Sequence, residues 1–377
     1  MRRATPCSEL MLALGLTPLL MLNGCGGVSR PVPAAGPSAG VLYYSSGDRA
    51  AVFYAVDWDG RTRAVPMASA PPGTPGPGVK PAATRPWVSR VSPDGSRLLM
   101  SDGSIRDRAG KVVGALDPAA GLMPSWADDN RHLCQLTTPG YSSFTGGTLV
   151  GPAVLTWVAP GNQPHVVATV GHFGPNATAE ILACTQQNGL AVIANFTASG
   201  SAQSARTGLN PVTTLLVVRL ADGSILDQRA YPVSTNPIGG YVVSVSPDGR
   251  YAAEAEMVVH HGPVGPAVVR ELPTGNVVAT LEPLTVLGFS GDHSRIFAST
   301  SNEVKVIKWR TGEVVWKHPG EARLAAYQPG GSAFMVRERT LWNGLPTDGL
   351  WLVFADGSDR LVAKDVGEVY AAIDTVP

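Results

Sequence analysis

The sequence is poor in cysteine, in charge and in long apolar runs. Only 4 of its 377 residues are cysteine, and no CxxC pair occurs. Neither a structural zinc site nor a thioredoxin-like redox site is therefore supported. Lysine and arginine together number 29, as do aspartate and glutamate. Nucleic-acid-binding proteins usually carry a basic excess or a basic stripe, so this balance argues against that class.

Catalytic motifs are equally scarce. The HExxH, GxSxG and P-loop patterns do not occur in the chain, and we therefore predict no catalytic residue, metal site or cofactor. The adjacent histidines His260 and His261 do not alter this, because neighbouring residues of a strand point to opposite faces. No acidic or histidine cluster lies near them in the sequence that could complete a metal site.

The N-terminal segment predicts an exported protein. A basic start precedes the apolar stretch Leu10–Leu22, which suits the core of a signal peptide and is too short to span a bilayer well. Residues 22–25, LNGC, resemble the bacterial lipobox. This resemblance implies removal of residues 1–24 and lipidation of Cys25, and several acyl chains give durable anchoring. The alternative is an ordinary signal peptide followed by an unrelated cysteine.

The segment that follows predicts a tether. Residues 25–40 are rich in Gly, Pro, Ala and Ser and poor in large apolar side chains, so they are expected to form a flexible linker. Residues 41–377 form the predicted folded domain. Cys134 and Cys184 lie in it, and in an oxidising compartment they could form a disulfide. Two separate buried thiols are the alternative, because sequence does not fix the distance between them.

A short phrase, VSPDG, occurs twice in the folded domain, at Val91–Gly95 and at Val245–Gly249. Four other segments follow the same logic, in which a turn rich in Pro, Asp, Asn or Gly joins two apolar strands. Proline presets φ at the second turn position, Asp or Asn tolerates the next, and Gly adopts positive φ. These inner hairpins begin at residues 91, 125, 184, 245, 289 and 327.

A second series of tight turns alternates with the first. Each consists of a strand, a turn with glycine and another strand, as expected for a β-hairpin. The turn glycines of these outer hairpins are Gly60, Gly110, Gly161, Gly223, Gly275, Gly312 and Gly357. Repeats that each hold two hairpins are typical of four-stranded propeller blades.

The combined pattern predicts an all-β fold, a seven-bladed β-propeller of four-stranded antiparallel blades. The outer turns outnumber the inner turns by one, which indicates that one blade is open. The chain would enter that blade at Val41 and return to it with the strand Val369–Thr375. We therefore predict that the C-terminal strand joins the N-terminal blade and closes the ring, leaving only short edges.

The phrase SPDGxR, followed by an apolar strand and an xDG hairpin, resembles TolB-like and WD40-like propeller repeats over residues 41–377. This resemblance implies the fold and a turn-forming role for Asp94 and Asp248. No blade carries the GH…WD pair of standard WD40 repeats, so a WD40 partner class does not transfer. Lys305–Lys317 resembles a quinoprotein repeat, with Trp316 as the docking tryptophan. The other hairpins lack this tryptophan, which argues against a quinone cofactor.

The longest insertions predict where a ligand would bind. In a propeller, the hairpin turns of both series lie on one face and all other connections lie on the opposite face. Long loops in a compact fold are often functional, and all of them fall on the second face. Exposed aromatic and arginine side chains make good interface anchors, although these groups could instead cover neighbouring blades. The candidates are Tyr141, Phe144, Arg206, His260, His261, Arg339 and Trp342.

Two functional classes follow from these observations. The first is a non-enzymatic module, lipid-anchored on the extracytoplasmic side of the cell membrane, whose long-loop face binds an envelope protein or a cell-wall polymer. A monomeric propeller that does not bind nucleic acid is expected. The alternative is an exported enzyme, a hydrolase or lyase acting on a sugar, lactone or peptide at the mouth of the central channel. That alternative rests on fold-level analogy alone, and we favour the non-enzymatic class.

Overall fold

The computed structural model describes most of the predicted folded domain. The described residues are 41–46, 53–65, 88–100, 102–107, 110–116, 122–138, 150–159, 162–174, 178–196, 211–232, 234, 239–258, 262–320, 322–342, 345–364 and 366–370. The predicted signal peptide (1–24) and tether (25–40) lie outside them. Within the described part, no helix is long and apolar enough to cross a membrane.

The described chain is built from β-strands. One sheet, called the composite sheet because both ends of the domain contribute to it, contains β1 (Val41–Ser46), β2 (Phe53–Asp57), β3 (Thr62–Val65) and β29 (Val366–Tyr370). Blade 1 contains β4 (Val88–Val91), β5 (Arg97–Met100), β6 (Ser104–Asp107) and β7 (Val112–Ala115). Blade 2 contains β8 (Leu122–Trp126), β9 (Leu133–Thr137), β10 (Gly151–Val158) and β11 (His165–Phe173).

Four further blades follow in chain order. Blade 3 contains β12 (Thr178–Thr185), β13 (Leu190–Phe196), β14 (Val212–Arg219) and β15 (Ile225–Ala230). Blade 4 contains β16 (Gly239–Val245), β17 (Tyr251–Val258), β18 (Gly262–Pro263), β19 (Pro266–Glu271) and β20 (Val277–Pro283). Blade 5 contains β21 (Thr285–Phe289), β22 (Ile296–Ser299), β23 (Glu303–Lys308) and β24 (Glu313–Pro319). Blade 6 contains β25 (Ala322–Tyr327), β26 (Phe334–Trp342), β27 (Leu345–Val353) and β28 (Asp359–Ala363).

This topology corrects the predicted architecture of seven four-stranded blades. Six blades are each formed by consecutive strands, and the remaining sheet, in the order β29-β1-β2-β3, is assembled from both ends of the domain. Blade 4 has a fifth strand, because β18 pairs with the end of β17. The C-terminal strand was predicted as Val369–Thr375, whereas β29 is Val366–Tyr370. The two-hairpin repeats predict four-stranded antiparallel blades, but the predicted number of seven is wrong, and neither the fifth strand of blade 4 nor the bounds of β29 are predicted.

The hairpin turns form where glycine permits a left-handed backbone. Gly95 and Gly249, the last residues of the two VSPDG phrases, have φ of 65° and 69°. In other inner turns Asn130 and His293 adopt the same conformation, with φ of 59° and 58°. Asparagine tolerates this region better than most residues. The outer-turn glycines within the described chain all have positive φ, namely Gly60, Gly110, Gly223, Gly275, Gly312 and Gly357.

The apolar core is divided among the interfaces between neighbouring sheets. One cluster joins blades 2 and 3 through Leu155 and Ile193, and comparable clusters join each later pair of blades. Val56 of the composite sheet packs with Met335 of blade 6, and β29 contacts β4 of blade 1. The composite sheet therefore lies between the last blade and the first. Each sheet is buried on two sides, which explains why its central strands are apolar on both faces.

Candidate interaction surface

The two ends of the strands define two faces that differ in their connections. The turns from first to second strand and from third to fourth strand of each blade lie on one face, which we call the turn face. Residues 92–96 and 220–224 are typical of these short turns. The other ends of the strands define the opposite side, the loop face. The longest segments that connect strand ends on this side, residues 66–87, 139–149 and 197–210, lie outside the described residues.

Only two of the seven predicted binding residues lie in the described part of the chain. Tyr141, Phe144, Arg206, His260 and His261 lie outside the described residues. The backbones of the other two candidates belong to β26, where Arg339 pairs with Asp348 and Trp342 pairs with Leu345. Residues 338–342 and 345–348 therefore form the two paired strands of a β-hairpin.

This hairpin extends beyond its blade. The neighbouring strand β25 pairs with β26 only as far as Glu338, and β28 pairs with β27 only as far as Leu350. Among the described residues, 339–342 and 345–348 consequently pair only with each other. We call this two-stranded extension the arm. It begins at the loop face, and its backbone carries both described candidates.

A polar and aromatic cluster supports the base of the arm. Both carboxylate oxygens of Glu338 are engaged, one with His318 Nε2 at 2.9 Å and the other with the indole N–H of Trp351, which donates at 2.7 Å. The His318 ring stacks on Trp316 with centroids 5.9 Å apart, and the Trp316 indole donates to Asp359. These contacts join blades 5 and 6. Because the partners are far apart in sequence, only the quinoprotein-like position of Trp316 signalled any of them.

A buried charged cluster lies between blades 3 and 4. The carboxylate of Glu254, whose side chain is 7% exposed, forms ion pairs with Arg229 and Arg270. The hydroxyl of Tyr231 donates to the same carboxylate at 2.9 Å. Burial, reinforced by the negative charge of Glu254, raises the pKa of Tyr231. Burial alone would lower the pKa of Arg229, but the charge of Glu254 raises it. Charge pairing on this scale is expected of a structural joint between two blades.

Hydrogen bonds link successive inner turns on the turn face. Asp94 and Asp248 each accept from a serine hydroxyl and a backbone N–H of their own turn, which confirms their turn-forming role. Each described inner turn also contacts the next blade. The contacts are Asn130 Oδ1 with Asp94 N, Asp128 Oδ1 with Gln186 N, Asn188 Nδ2 with Asp248 O, His293 Nε2 with Asp248 Oδ2, and Gly331 O with Asp292 N. These contacts connect the inner turns of neighbouring blades from blade 1 to blade 6.

Tyr327 ends the innermost strand of blade 6, on the same face. Desolvation, together with the negative charges of Asp128 and Asp248, raises the pKa of its hydroxyl. Those aspartates belong to the inner turns of blades 2 and 4, so turns from two other blades contribute to the electrostatic environment of Tyr327. A phenol with a raised pKa stays protonated and donates a proton poorly at neutral pH. In the described part of the chain, no group of three or more His, Cys, Asp or Glu side chains could hold a metal ion.

Cys134 and Cys184 are joined by a disulfide. Their Cα atoms are 5.9 Å apart, within the usual range for such a bond. Cys134 lies in β9 of blade 2 and Cys184 in β12 of blade 3, and both are buried in the cluster that those blades share. Of the two alternatives left open by the sequence, the structure has the bonded pair.

Comparisons with known proteins give no family. No family model matches the chain, and no curated protein matches it. Among solved structures, the chain is similar to a eukaryotic initiation factor at 11% identity and a TM-score of 0.45, over 88% of this chain and 96% of that one. It is also similar to a putative TolB from Agrobacterium tumefaciens at 12% identity and a TM-score of 0.35, over 67% of this chain and 84% of that one. The fold assignment rests on the strand pairing described above, and neither protein's function is carried over.

Proposed function

We propose that this protein is a binding module outside the cytoplasmic membrane, held there through lipidated Cys25. The observation that carries the proposal is the difference between the two faces. The turn face is closed by short, hydrogen-bonded turns, whereas the arm extends from the opposite ends of the strands, and the longest segments of the sequence connect strand ends on that side. Binding residues are disproportionately found on loops that a rigid scaffold positions. The ligand is an envelope protein or a cell-wall polymer.

Two independent features support the compartment. The lipobox-like LNGC ends at Cys25, and a disulfide joins Cys134 to Cys184 within the folded domain. Disulfides persist in exported proteins and are rare in reducing compartments. Both features are typical of exported proteins, and they lie in separate parts of the chain.

The partner is tested by crosslinking in intact cells of a lipoprotein-processing bacterium, followed by mass spectrometry of what co-purifies. Trp342→Ala and Arg339→Ala, both on the arm, should each reduce capture of a specific envelope component. Arg131→Ala is the matched control, because Arg131 is an exposed arginine of the turn face. Equal loss with Arg131→Ala, or no specific partner for a fully lipidated protein, would contradict the proposal.

The anchor is tested separately by fractionation. Cys25→Ser should release the protein from the membrane fraction into the soluble exported fraction. Mass spectrometry of the N-terminal peptide should show acylation in the unsubstituted chain alone. Membrane retention unchanged by Cys25→Ser rules out lipid anchoring at this residue.

A further inference from the structure

The exposed aliphatic side chains of the described chain are not scattered. Seven of the eight large exposed ones occupy the first or second position of the outermost strand of a blade, directly after the outer turn. The exception is Val264. We call the seven the aliphatic arc: Val112, Val113, Val166, Ile225, Val277, Val278 and Val314. The arc runs along the rim of the turn face over blades 1 to 5.

Edge-strand preference alone does not account for the arc. β-Branched residues are common in strands, but the outermost strand of blade 6 has Asp359 and Arg360 at the same two positions. Polar residues are therefore compatible with this place in the fold. Exposed aliphatic side chains that recur at one level of the rim, unlike ones scattered singly, point to a contact with a protein or a membrane.

The place at which the chain enters the folded domain favours a membrane over a protein as the partner of the arc. Val41, the first described residue, pairs with Asp57, which immediately precedes the turn between β2 and β3. The segment that leads back to Cys25 therefore departs from the turn face. A lipid attached to Cys25 would therefore be tethered from the turn face, which favours this face over the loop face as the side nearer the bilayer.

We propose that the turn face rests on the membrane, with the aliphatic arc in contact with lipid. This inference rests on the proposed lipid anchor and adds an orientation to it. The tether departs from the composite sheet, and the arc covers blades 1 to 5. Anchor and arc together would give contacts on different parts of the ring, so that the ring lies flat. The loop face and the arm then point away from the bilayer, towards the envelope partner.

Depth-dependent quenching tests this orientation. The full chain, processed in a lipoprotein-processing bacterium, is placed in vesicles of phosphatidylethanolamine and phosphatidylglycerol that contain nitroxide-labelled lipid. A fluorophore is attached at Val166→Cys or, as the matched control, at Val264→Cys. The two valines are equally exposed, at 61% and 59%, but Val264 follows β18 on the loop face. Val278→Cys is a second arc position in case Val166→Cys misfolds.

The arc inference predicts strong quenching at Val166→Cys and Val278→Cys and little at Val264→Cys. Absent quenching at the arc, or equal quenching at all three positions, overturns it. Energy transfer between labelled copies in place of lipid quenching also overturns it and indicates self-association. The mass of the N-terminal peptide is measured on the same sample. An acylated but unquenched protein refutes the arc alone, whereas an unacylated protein refutes the anchor on which it rests.

Discussion

At the scale of single residues, removal of a buried charge is expected to lower the free energy of unfolding the most. Glu254 is the shared partner of Arg229 and Arg270 in the joint between blades 3 and 4. Glu254→Gln removes the negative charge and leaves two guanidinium groups beside each other. Removing one member of a buried ion pair costs about 3–5 kcal/mol, so the midpoint of urea unfolding should fall sharply.

The control for this substitution is Glu313→Gln. Glu313 pairs with Lys308, but both side chains are largely exposed, at 56% and 41%. Exposed pairs contribute about 0–1 kcal/mol, so this variant should unfold near the urea concentration of the parent. Equal losses in the two variants would contradict a structural role for the buried cluster.

Two turn glycines, Gly223 and Gly312, differ in the space that is available for a Cβ atom. Gly223 and Gly312 have φ of 71° and 75°, so alanine at either position is strained by about 1–2 kcal/mol. A Cβ at Gly223 would also clash with the backbone carbonyl oxygen of Val167 in blade 2, whereas one at Gly312 meets no atom within 4 Å. Gly223→Ala should therefore lose about 1–3 kcal/mol more than Gly312→Ala. Thermal unfolding measures the difference, and identical melting temperatures would contradict it.

At the scale of the structural element, the turn aspartates make stability depend on pH. Hydrogen bonds from Ser224 lower the pKa of the Asp222 carboxyl to about 2. Hydrogen bonds from the Ser358 side chain and backbone also lower the pKa of Asp356. Burial would raise the pKa of Asp292, but hydrogen bonds from Ser290 and Ser294 lower it. A carboxyl whose folded-state pKa is depressed stabilises the fold above its unfolded value and loses that contribution as the pH falls.

The free energy of unfolding should therefore decrease as the pH falls from 3.8, the ordinary aspartate value, towards about 2. Melting curves across this interval measure the effect. Asp222→Asn should reduce the loss of unfolding free energy over this pH interval, because asparagine does not titrate. A melting temperature that does not change over the interval would show that the turn hydrogen bonds are absent in solution.

Among the structural elements, those that depend on residues close together in the sequence can be predicted from it. The hairpin turns are predictable because positive φ requires glycine or asparagine at one position, as at Gly95 and Asn130. A local signal for the arm is present as well, because Asn-Gly between two strands, here Asn343 and Gly344, is typical of a two-residue hairpin loop. The support beneath the arm, in contrast, is hidden from sequence. His318, Glu338 and Trp351 meet only because two blades pack together.

At the scale of the whole molecule, the disulfide joins two blades. Cys134 and Cys184 are 50 residues apart in sequence, and cross-linking a loop of that length stabilises a fold by about 4 kcal/mol in the chain-entropy account. The double variant Cys134→Ala/Cys184→Ala should lose stability on this scale in urea unfolding. Reductant should destabilise the parent but leave the double variant unchanged. A parent that is insensitive to reductant would contradict the role assigned to the bond.

The composite sheet has a consequence for the order of assembly. The strand β29 pairs with β1, which lies at the other end of the domain. A chain made from its N-terminus exposes β1 with an unpaired backbone edge until β29 has been made. Unpaired strand edges favour association with other chains. The interval between synthesis of β1 and synthesis of β29 is thus when a nascent chain most needs protection, because the composite sheet cannot form earlier.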